Sequence, residues 1–288
     1  MSVGSQTVRL LVARVGAGSV VPLCRERAMI GLGEEIIRRG AISDAKNERV
    51  AEHVSEFAAL ARAMGVQSLE AVLTAPGREA TNAPVLAATI GHAAAASTRT
   101  LSVDELGVLA FSGAILGNRA RGDSVAVCDV GAMSTVITIG TRDGGPVYVR
   151  AIPMGSLTLR ARLGREMPTA AAIGAARDAV ESAFAGVVMP LPKVVLATGG
   201  AARSLRKLVG RSIDKDAADA AIRLARRCEA AEIVNIHGIP PHRAETLAAD
   251  GLILSEVHRR LAIPLDVSAT GHREGYAAQL AAASVEAA

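Results

Sequence analysis

Asp129-Val-Gly-Ala-Met-Ser-Thr135 is the stretch on which the reading of this chain turns. Ahead of it runs Ser124-Val-Ala-Val-Cys128, and after it Val136-Ile-Thr-Ile139. Together they read as strand, tight turn, strand, with a carboxylate, a glycine and two hydroxyls gathered at the turn. Such a turn can aim backbone N–H groups and hydroxyls at a phosphate, and its Asp can hold a metal ion or orient a water. An ordinary β-hairpin has the same outline, so the decision falls to the rest of the chain.

At 288 residues the chain has room for two domains with substantial cores. Half the residues are apolar and only 2% are aromatic, so the core is built from Val, Leu, Ile and Ala. With no Trp, two Tyr and three Phe, stacking platforms for nucleic-acid bases are not expected, and no direct nucleic-acid binding follows. The net charge of +4 comes mainly from Arg, since there are only four Lys (Lys46, Lys193, Lys207 and Lys215). Arg is the better fork for phosphate and carboxylate. Three scattered cysteines (Cys24, Cys128, Cys228) and no Cys-x-x-Cys pair point to free thiols in a reducing compartment. The N-terminus lacks a basic-then-apolar leader, and the longest apolar run, near 84–97, is too short to span a bilayer. The expectation is a soluble cytoplasmic protein with no membrane partner.

The remaining pattern alternates strands and helices. Thr7–Ala13 reads as a strand, followed by strands near 20–23 and 28–31 with Gly16 and Gly18 turning between the first two. Ser43 reads as an N-cap, and Val50, Val54, Phe57, Ala61 and Met64 recur at helical spacing after it. Strands at 68–75 and 99–102 bracket a helix over 84–95, and Ser102 caps a helix over 103–116 with Asp104 and Glu105 in its first turn. Gly31-Leu-Gly33 reads as a turn. The second half again opens with a strand meander, at 124–128, 136–139 and 147–152. Helices follow over 169–185, from 201, and over 214–227, 229–235, 241–261 and 272–287, with strands at 194–197 and 266–268. This is an α/β class with a partly parallel sheet in each half. The polar stretch Gly117–Gly122 is the expected domain boundary, giving an N-terminal lobe over 1–117 and a C-terminal lobe over 118–288. The closing helix 272–287 is expected to pack back on the first lobe.

Read together and in order, these motifs resemble the exopolyphosphatase/guanosine pentaphosphate phosphohydrolase (Ppx/GppA) family. Gly4-Ser-Gln-Thr-Val-Arg-Leu10 looks like that family's first phosphate loop, Asp-x-Gly-Ser-Asn-Ser-x-Arg. Arg78-Glu-Ala80 with Asn82 looks like its Arg-Glu-Ala-x-Asn segment, and Asp129–Thr135 like its second phosphate loop, Asp-x-Gly-Gly-Gly-Ser-Thr-Glu. Pro153-Met-Gly-Ser156 and Ala197-Thr-Gly-Gly200 follow as its next two segments. Gly238-Ile-Pro-Pro241 with Arg243, then Ser268 and Gly271-x-Arg273-Glu274-Gly275, match its C-terminal part. The resemblance covers nearly the whole chain. It implies two actin-like (ribonuclease H-like) lobes with a cleft between them, Mg²⁺ as cofactor and a homodimer.

The departures fall on the chemistry. The first loop's Asp would lie at Ser2. Ala132 and Met133 stand where glycines are usual, so two Cβ atoms restrict the approach of an oxyanion. Val136 replaces the Glu after Ser-Thr. A gapless match of Ser102–Val108 puts Leu106 on the other catalytic Glu, with Glu105 or Asp104 one or two positions early. One helical position rotates a side chain by about 100°. The resemblance therefore implies catalytic roles for Glu105 and Asp129, with Asp129 also the metal ligand. Phosphate binding falls to Gly4, Ser5, Thr7, Arg9, Arg78, Gly131, Ser134, Thr135, Gly199 and Gly200. The implied reaction is cleavage of the terminal phosphoanhydride of polyphosphate or guanosine pentaphosphate. The chain is shorter than many family members, which favours a short-chain or nucleotide substrate. The loss of nucleophile-positioning carboxylates equally suits a non-catalytic phosphate- or nucleotide-binding sensor on the same fold.

Overall fold

The computed structural model describes residues 1–16, 18–116, 124–164 and 167–286. The expected boundary at Gly117–Gly122 lies outside the described residues. The chain divides into two compact units, Met1–Leu109 with Arg273–Ala288, and Ala110–His272.

The first unit runs β1 (Ser2–Val3), β2 (Thr7–Gly16), β3 (Ser19–Met29), α1 (Leu32–Arg39), α2 (Asp44–Ala63), β4 (Glu70–Leu73), α3 (Ala75–Glu79), α4 (Ala83–Ala94), β5 (Ser97–Thr100) and the first half of α5 (Val103–Leu116), which passes into the second unit at Ala110. Its sheet has the order β3-β2-β1-β4-β5, antiparallel on the β1–β3 side and parallel from β1 through β4 to β5. The two strands expected near 20–23 and 28–31 are one strand, β3. It is an edge strand, and its register shifts opposite Val12/Ala13, where Pro22 faces Ala13. A proline missing its ladder donor is tolerated at such an edge irregularity. Gly31-Leu-Gly33 is not a free turn but the start of α1. Gly31 takes a left-handed φ of 73°, Glu34 and Glu35 sit in the first turn, Arg38 and Arg39 in the last, and Gly40 (φ 71°) closes the helix. The Ser43 cap forms as expected, accepting from the Lys46 N–H.

The second unit runs β6 (Val125–Val130), β7 (Thr135–Thr141), β8 (Gly145–Ile152), α6 (Ser156–Leu163), α7 (Ala170–Ala183), β9 (Val194–Thr198), α8 (Gly199–Val209), β10 (Ser212–Ile213), α9 (Lys215–Arg227), α10 (Ala230–His237), α11 (Pro241–Ala244), α12 (Leu247–Leu261) and β11 (Leu265–Val267). From His272, α13 (His272–Glu286) carries the chain back to the first unit. The sheet order is β10-β11-β9-β6-β7-β8. Leaving β10 aside, this repeats the first unit's plan: an antiparallel meander of three strands, then two parallel strands beside the first. The helix expected over 241–261 is two helices. They part at Glu245–Thr246, where the Thr246 hydroxyl turns onto Asp250 at 3.2 Å. The core of this unit is aliphatic, as composition requires, with Phe184 fully buried among Ile137, Ile152, Leu159 and Leu254, and Phe111 among Val125, Val127 and Leu196.

Candidate functional site

In the second unit, β6 and β7 bring Asp129 to the end of a strand whose next-door neighbours are Val136 on one side and Thr198 on the other. The turn between the strands closes on itself, the Gly131 N–H donating to the Ser134 carbonyl at 2.9 Å. The N-terminus of α6 then caps it from outside: Ser156 N–H donates to Gly131 O at 2.9 Å and Leu157 N–H to Ala132 O at 2.8 Å. Only a glycine allows that approach, because a Cβ on Gly155 would lie 2.5 Å from the backbone of Ala132 and Met133. The turn is thus braced by a helix that uses its orphan N–H groups on protein carbonyls. Thr135 is fully buried, and its hydroxyl donates to Met154 O at 2.7 Å. Val136 is buried beside Asp129.

Asp129 is the electrostatic centre. Its carboxylate lies 3.5 Å from His272 Nδ1 and against Gly199, whose φ of 83° and missing Cβ leave room for Oδ1. Burial pushes the Asp129 carboxyl up, but the His272 contact and the charges of His272, Arg203 and Arg243 together hold it below the ordinary aspartate value. The ionised, acceptor form of the carboxylate is therefore favoured by its cationic surround. Thr198 stands at the mouth of α8. Its hydroxyl is 1% exposed, makes no cap bond and has no hydrogen-bond partner. Gly200 lies against the Arg243 guanidinium, where a Cβ would come within 2.5 Å of it.

Behind these loops is a buried polar knot. Asp250 is fully buried on α12. It accepts from the Ser156 and Thr246 hydroxyls and pairs with Arg243 at 3.7 Å. Burial raises its pKa despite those partners. Asp250 ties α6, α11 and α12 together beneath the turn that Ser156 caps.

The first-unit candidates make other commitments. The Gly4 N–H donates to Thr7 O at 3.0 Å, Ser5 O accepts from Gly33 N–H at 2.7 Å, and Thr7 Oγ1 accepts from Arg9 Nε at 2.8 Å. Arg78 donates to Leu101 O at 2.7 Å, its pKa is lowered by burial, and its Nε is buried without a partner. Glu105 completes a capping box, accepting from Ser102 N–H at 2.7 Å while Ser102 Oγ accepts from Glu105 N–H at 3.1 Å. Its other oxygen pairs with Arg99, and the side chain is 45% exposed. The Ser102 N–H and then Arg99 lower its pKa, which weakens it as a base. Leu106 packs against the cluster of Val72, Leu101 and Leu109.

Asp129, Gly131, Ser134, Thr135, Gly199 and Gly200 therefore belong to one constellation within the second unit, while Gly4, Ser5, Thr7, Arg9, Arg78 and Glu105 belong to the first. Sequence reasoning missed His272, Thr198, Arg203 and Asp250 as parts of the Asp129 surround. Signals for two of them were present. His272 opens the closing helix directly after Gly271, and Asp250 is an isolated acid in the apolar run Leu247–Leu254. Among the described residues no group of three His, Cys, Asp or Glu side chains could hold a metal ion, and no helix is long and apolar enough to cross a membrane.

The Ppx/GppA phosphatase family matches residues 11–283. An exopolyphosphatase 2 of Mycobacterium tuberculosis is 25% identical over 291 residues, covering 90% of this chain and 88% of that protein. A Ppx/GppA family member from Aquifex aeolicus has a solved structure that overlays with a TM-score of 0.84 at 20% identity, covering 98% of this chain and 96% of its own. An exopolyphosphatase from Cytophaga hutchinsonii gives 0.85 at 16% identity, with 95% and 94% covered. At these identities the overlays establish the fold, two actin-like α/β units. The family match runs through both sheets and the Asp129 turn, and the chain belongs to the Ppx/GppA phosphatase family.

Proposed function

We propose that this protein is a phosphohydrolase that removes the terminal phosphate of polyphosphate or guanosine pentaphosphate, with Asp129 as its acidic pole. The observation that carries the reading is the state of that carboxylate. It is buried, yet held ionised by His272, Arg203 and Arg243, in the turn that resembles a family phosphate loop. In the reaction a bond forms from water oxygen to the terminal phosphorus, and the bridging P–O bond breaks, releasing phosphate. Arg243 and Arg203 offset the charge that spreads over phosphoryl oxygens, and the Asp129 carboxylate accepts a hydrogen bond from the attacking water. Mg²⁺ suits this donor set only as an ion shared with substrate. Asp129 and the partnerless Thr198 hydroxyl would hold it, phosphate oxygens would supply the remaining ligands, and the ion would neutralise anhydride charge.

Phosphate release from tripolyphosphate and guanosine pentaphosphate with Mg²⁺ tests the reading, with Asp129→Ala as the control. Release at the same rate from wild type and variant sinks it.

A second reading is favoured by Val136 and Leu106. Both stand at positions where the family resemblance calls for a carboxylate; Val136 is buried, and Leu106 packs against the cluster of Val72, Leu101 and Leu109. Together with the bonded state of Glu105, they suit a sensor that binds phosphorylated ligand and turns it over slowly or not at all. Calorimetric binding of guanosine pentaphosphate without phosphate release selects this reading.

A further inference from the structure

Arg243 of the second unit stands beside the Asp129 constellation with an open counter-ion arrangement. Its guanidinium lies against Gly200, the second residue of α8, and its charge reaches Asp129. The opposing charge is Asp250, fully buried on α12. The two are paired but not hydrogen-bonded: Arg243 Nη1 and Asp250 Oδ2 are 3.7 Å apart, against about 2.7–2.9 Å for a charge-assisted N–H···O bond. Two hydroxyls hold the carboxylate instead. Ser156 Oγ, on α6, donates to Oδ1. Thr246 Oγ1 has Oδ2 as its nearest acceptor at 3.2 Å, ahead of the His242 and Arg243 carbonyls at 3.4 Å. Arg243 Nε is buried and has no hydrogen-bond partner. An arginine fork beside a carboxylate ordinarily closes on it in two parallel bonds. Here the charges are balanced while the fork stays open.

We propose that Asp250 is a positioning residue for Arg243, and that the Ser156 and Thr246 hydroxyls hold its carboxylate back so that the guanidinium stays free to bond phosphate oxygens. A guanidinium closed on a buried carboxylate would have to break charge-assisted bonds before it could take a phosphate. A guanidinium buried with no counter-charge would be costly to keep. Asp250 at 3.7 Å avoids both states. It is near enough to offset the charge across a low-dielectric interior, and too far to consume the N–H groups. Thr246 is the lever, because its hydroxyl touches the same oxygen that faces Arg243. It stands at the N-cap of α12, four residues ahead of Asp250. Without that hydroxyl, Oδ2 has only the guanidinium to turn to, and the fork closes. The inference rests on the phosphohydrolase reading for the identity of the substrate, but the anion affinity it assigns to Arg243 is measured without turnover.

The test is calorimetry of inorganic phosphate on the full chain, with tripolyphosphate kinetics in Mg²⁺ alongside. Thr246→Val keeps the shape of the side chain and removes the hydroxyl. Its phosphate affinity is expected to fall about tenfold, as for loss of one hydrogen bond to a charged group. Its KM for tripolyphosphate should rise about tenfold with kcat within about threefold. Thr246→Ser keeps the hydroxyl and should stay within about twofold of wild type. Adding Asp250→Asn to Thr246→Val removes the charge that captures the fork. Phosphate affinity then returns to within about threefold of wild type, whereas packing damage would accumulate across the two substitutions. Circular dichroism checks that each variant folds, and if the double variant does not, the Thr246→Val and Thr246→Ser pair decides alone. Wild-type phosphate affinity in Thr246→Val overturns the inference. So does an equal loss in Thr246→Ser, a folded double variant with no recovery, or a wild type that binds no phosphate. Phosphate binding that responds to Thr246 as expected, with no release from tripolyphosphate or guanosine pentaphosphate, defeats the hydrolase reading and leaves the inference standing. Release from tripolyphosphate with KM unchanged in Thr246→Val does the reverse.

Discussion

The two units are built on the same strand order, yet only the second gathers its candidate phosphate residues around a buried carboxylate. In the first unit the candidate polar groups have work inside the protein, with the buried Arg78 Nε the exception. Thr7 receives Arg9, Arg78 holds the Leu101 carbonyl, and Glu105 caps α5 while pairing with Arg99. In the second unit Gly131 N–H and the Thr135 hydroxyl are likewise spent on protein carbonyls, but beside Asp129 stand a histidine at 3.5 Å and a buried threonine hydroxyl with no partner, with Gly199 admitting the carboxylate close to its backbone. A buried polar atom without a partner costs stability, commonly about 1–3 kcal/mol, so its persistence points to a ligand rather than to scaffolding. A loop sequence alone does not distinguish these cases, because the same residue types serve in both.

The largest effect expected from this contrast is on rate. Asp129→Ala lowers phosphate release by on the order of 10²–10⁴, the range for loss of one positioned acid–base group. A loss of less than about fivefold would erase the distinction between the units. Next comes stability. Asp250→Ala strips the partner from Arg243 and from two hydroxyls in a fully buried knot, and urea unfolding is expected to report a loss of about 3–5 kcal/mol. A loss under 1 kcal/mol means the knot does not brace the turn. A smaller effect concerns pH. The Asp129 pKa is depressed in the folded state, so its stabilisation is present above the unfolded carboxylate value of about 4 and fades as pH falls through the folded value. The stability gap between wild type and Asp129→Asn should therefore shrink on acidification from pH 7 to pH 3. Because the raised pKa of Asp250 works in the opposite sense and is shared by both proteins, it cancels in the difference. A gap that widens would contradict the assigned shift. Least of all should change in Glu105→Gln. Glutamine keeps the capping box, and phosphate release is expected to stay within about threefold. A fall of 10² or more would give Glu105 a chemical role and make the first unit as active a partner as the second.

Much of the fold was legible because its signals are local and ordered. The Ser43 and Ser102 caps, the glycine after β9 and the strand meander that opens each half all follow from adjacent residues. The errors arose where a local signal had two meanings. The charged run Arg25–Arg27 reads as a break between strands at 20–23 and 28–31, but an edge strand tolerates it, and Pro22 as well, because one of its sides has no ladder to complete. Gly31 resembles a turn and is one, although the turn is the N-cap of α1, and the acidic start and basic end of that helix went unweighed. Within the site, Asp129 and the glycines were visible because each sits in a motif. His272 is far from Asp129 in sequence, and only the return of the chain beside β9 brings them to 3.5 Å. Thr198 was read as part of a glycine loop, and that its hydroxyl would have no partner is a property of the folded surroundings alone.

The division of the chain also bears on how the protein is made. Unit two is a single uninterrupted segment, Ala110–His272, whereas unit one draws on both Met1–Leu109 and Arg273–Ala288. The late segment is not decoration. Glu274 pairs with Arg25 at 2.8 Å, and Tyr276 bonds Glu70 and stacks beside Arg99. During synthesis, which exposes the chain from its N-terminus, unit two emerges whole before these partners of Arg25, Glu70 and Arg99 exist outside the ribosome. Of the two units, the one whose chain starts earlier is therefore the later to be completed. Until α13 is made, Arg25, Glu70 and Arg99 lack the partners that Glu274 and Tyr276 supply.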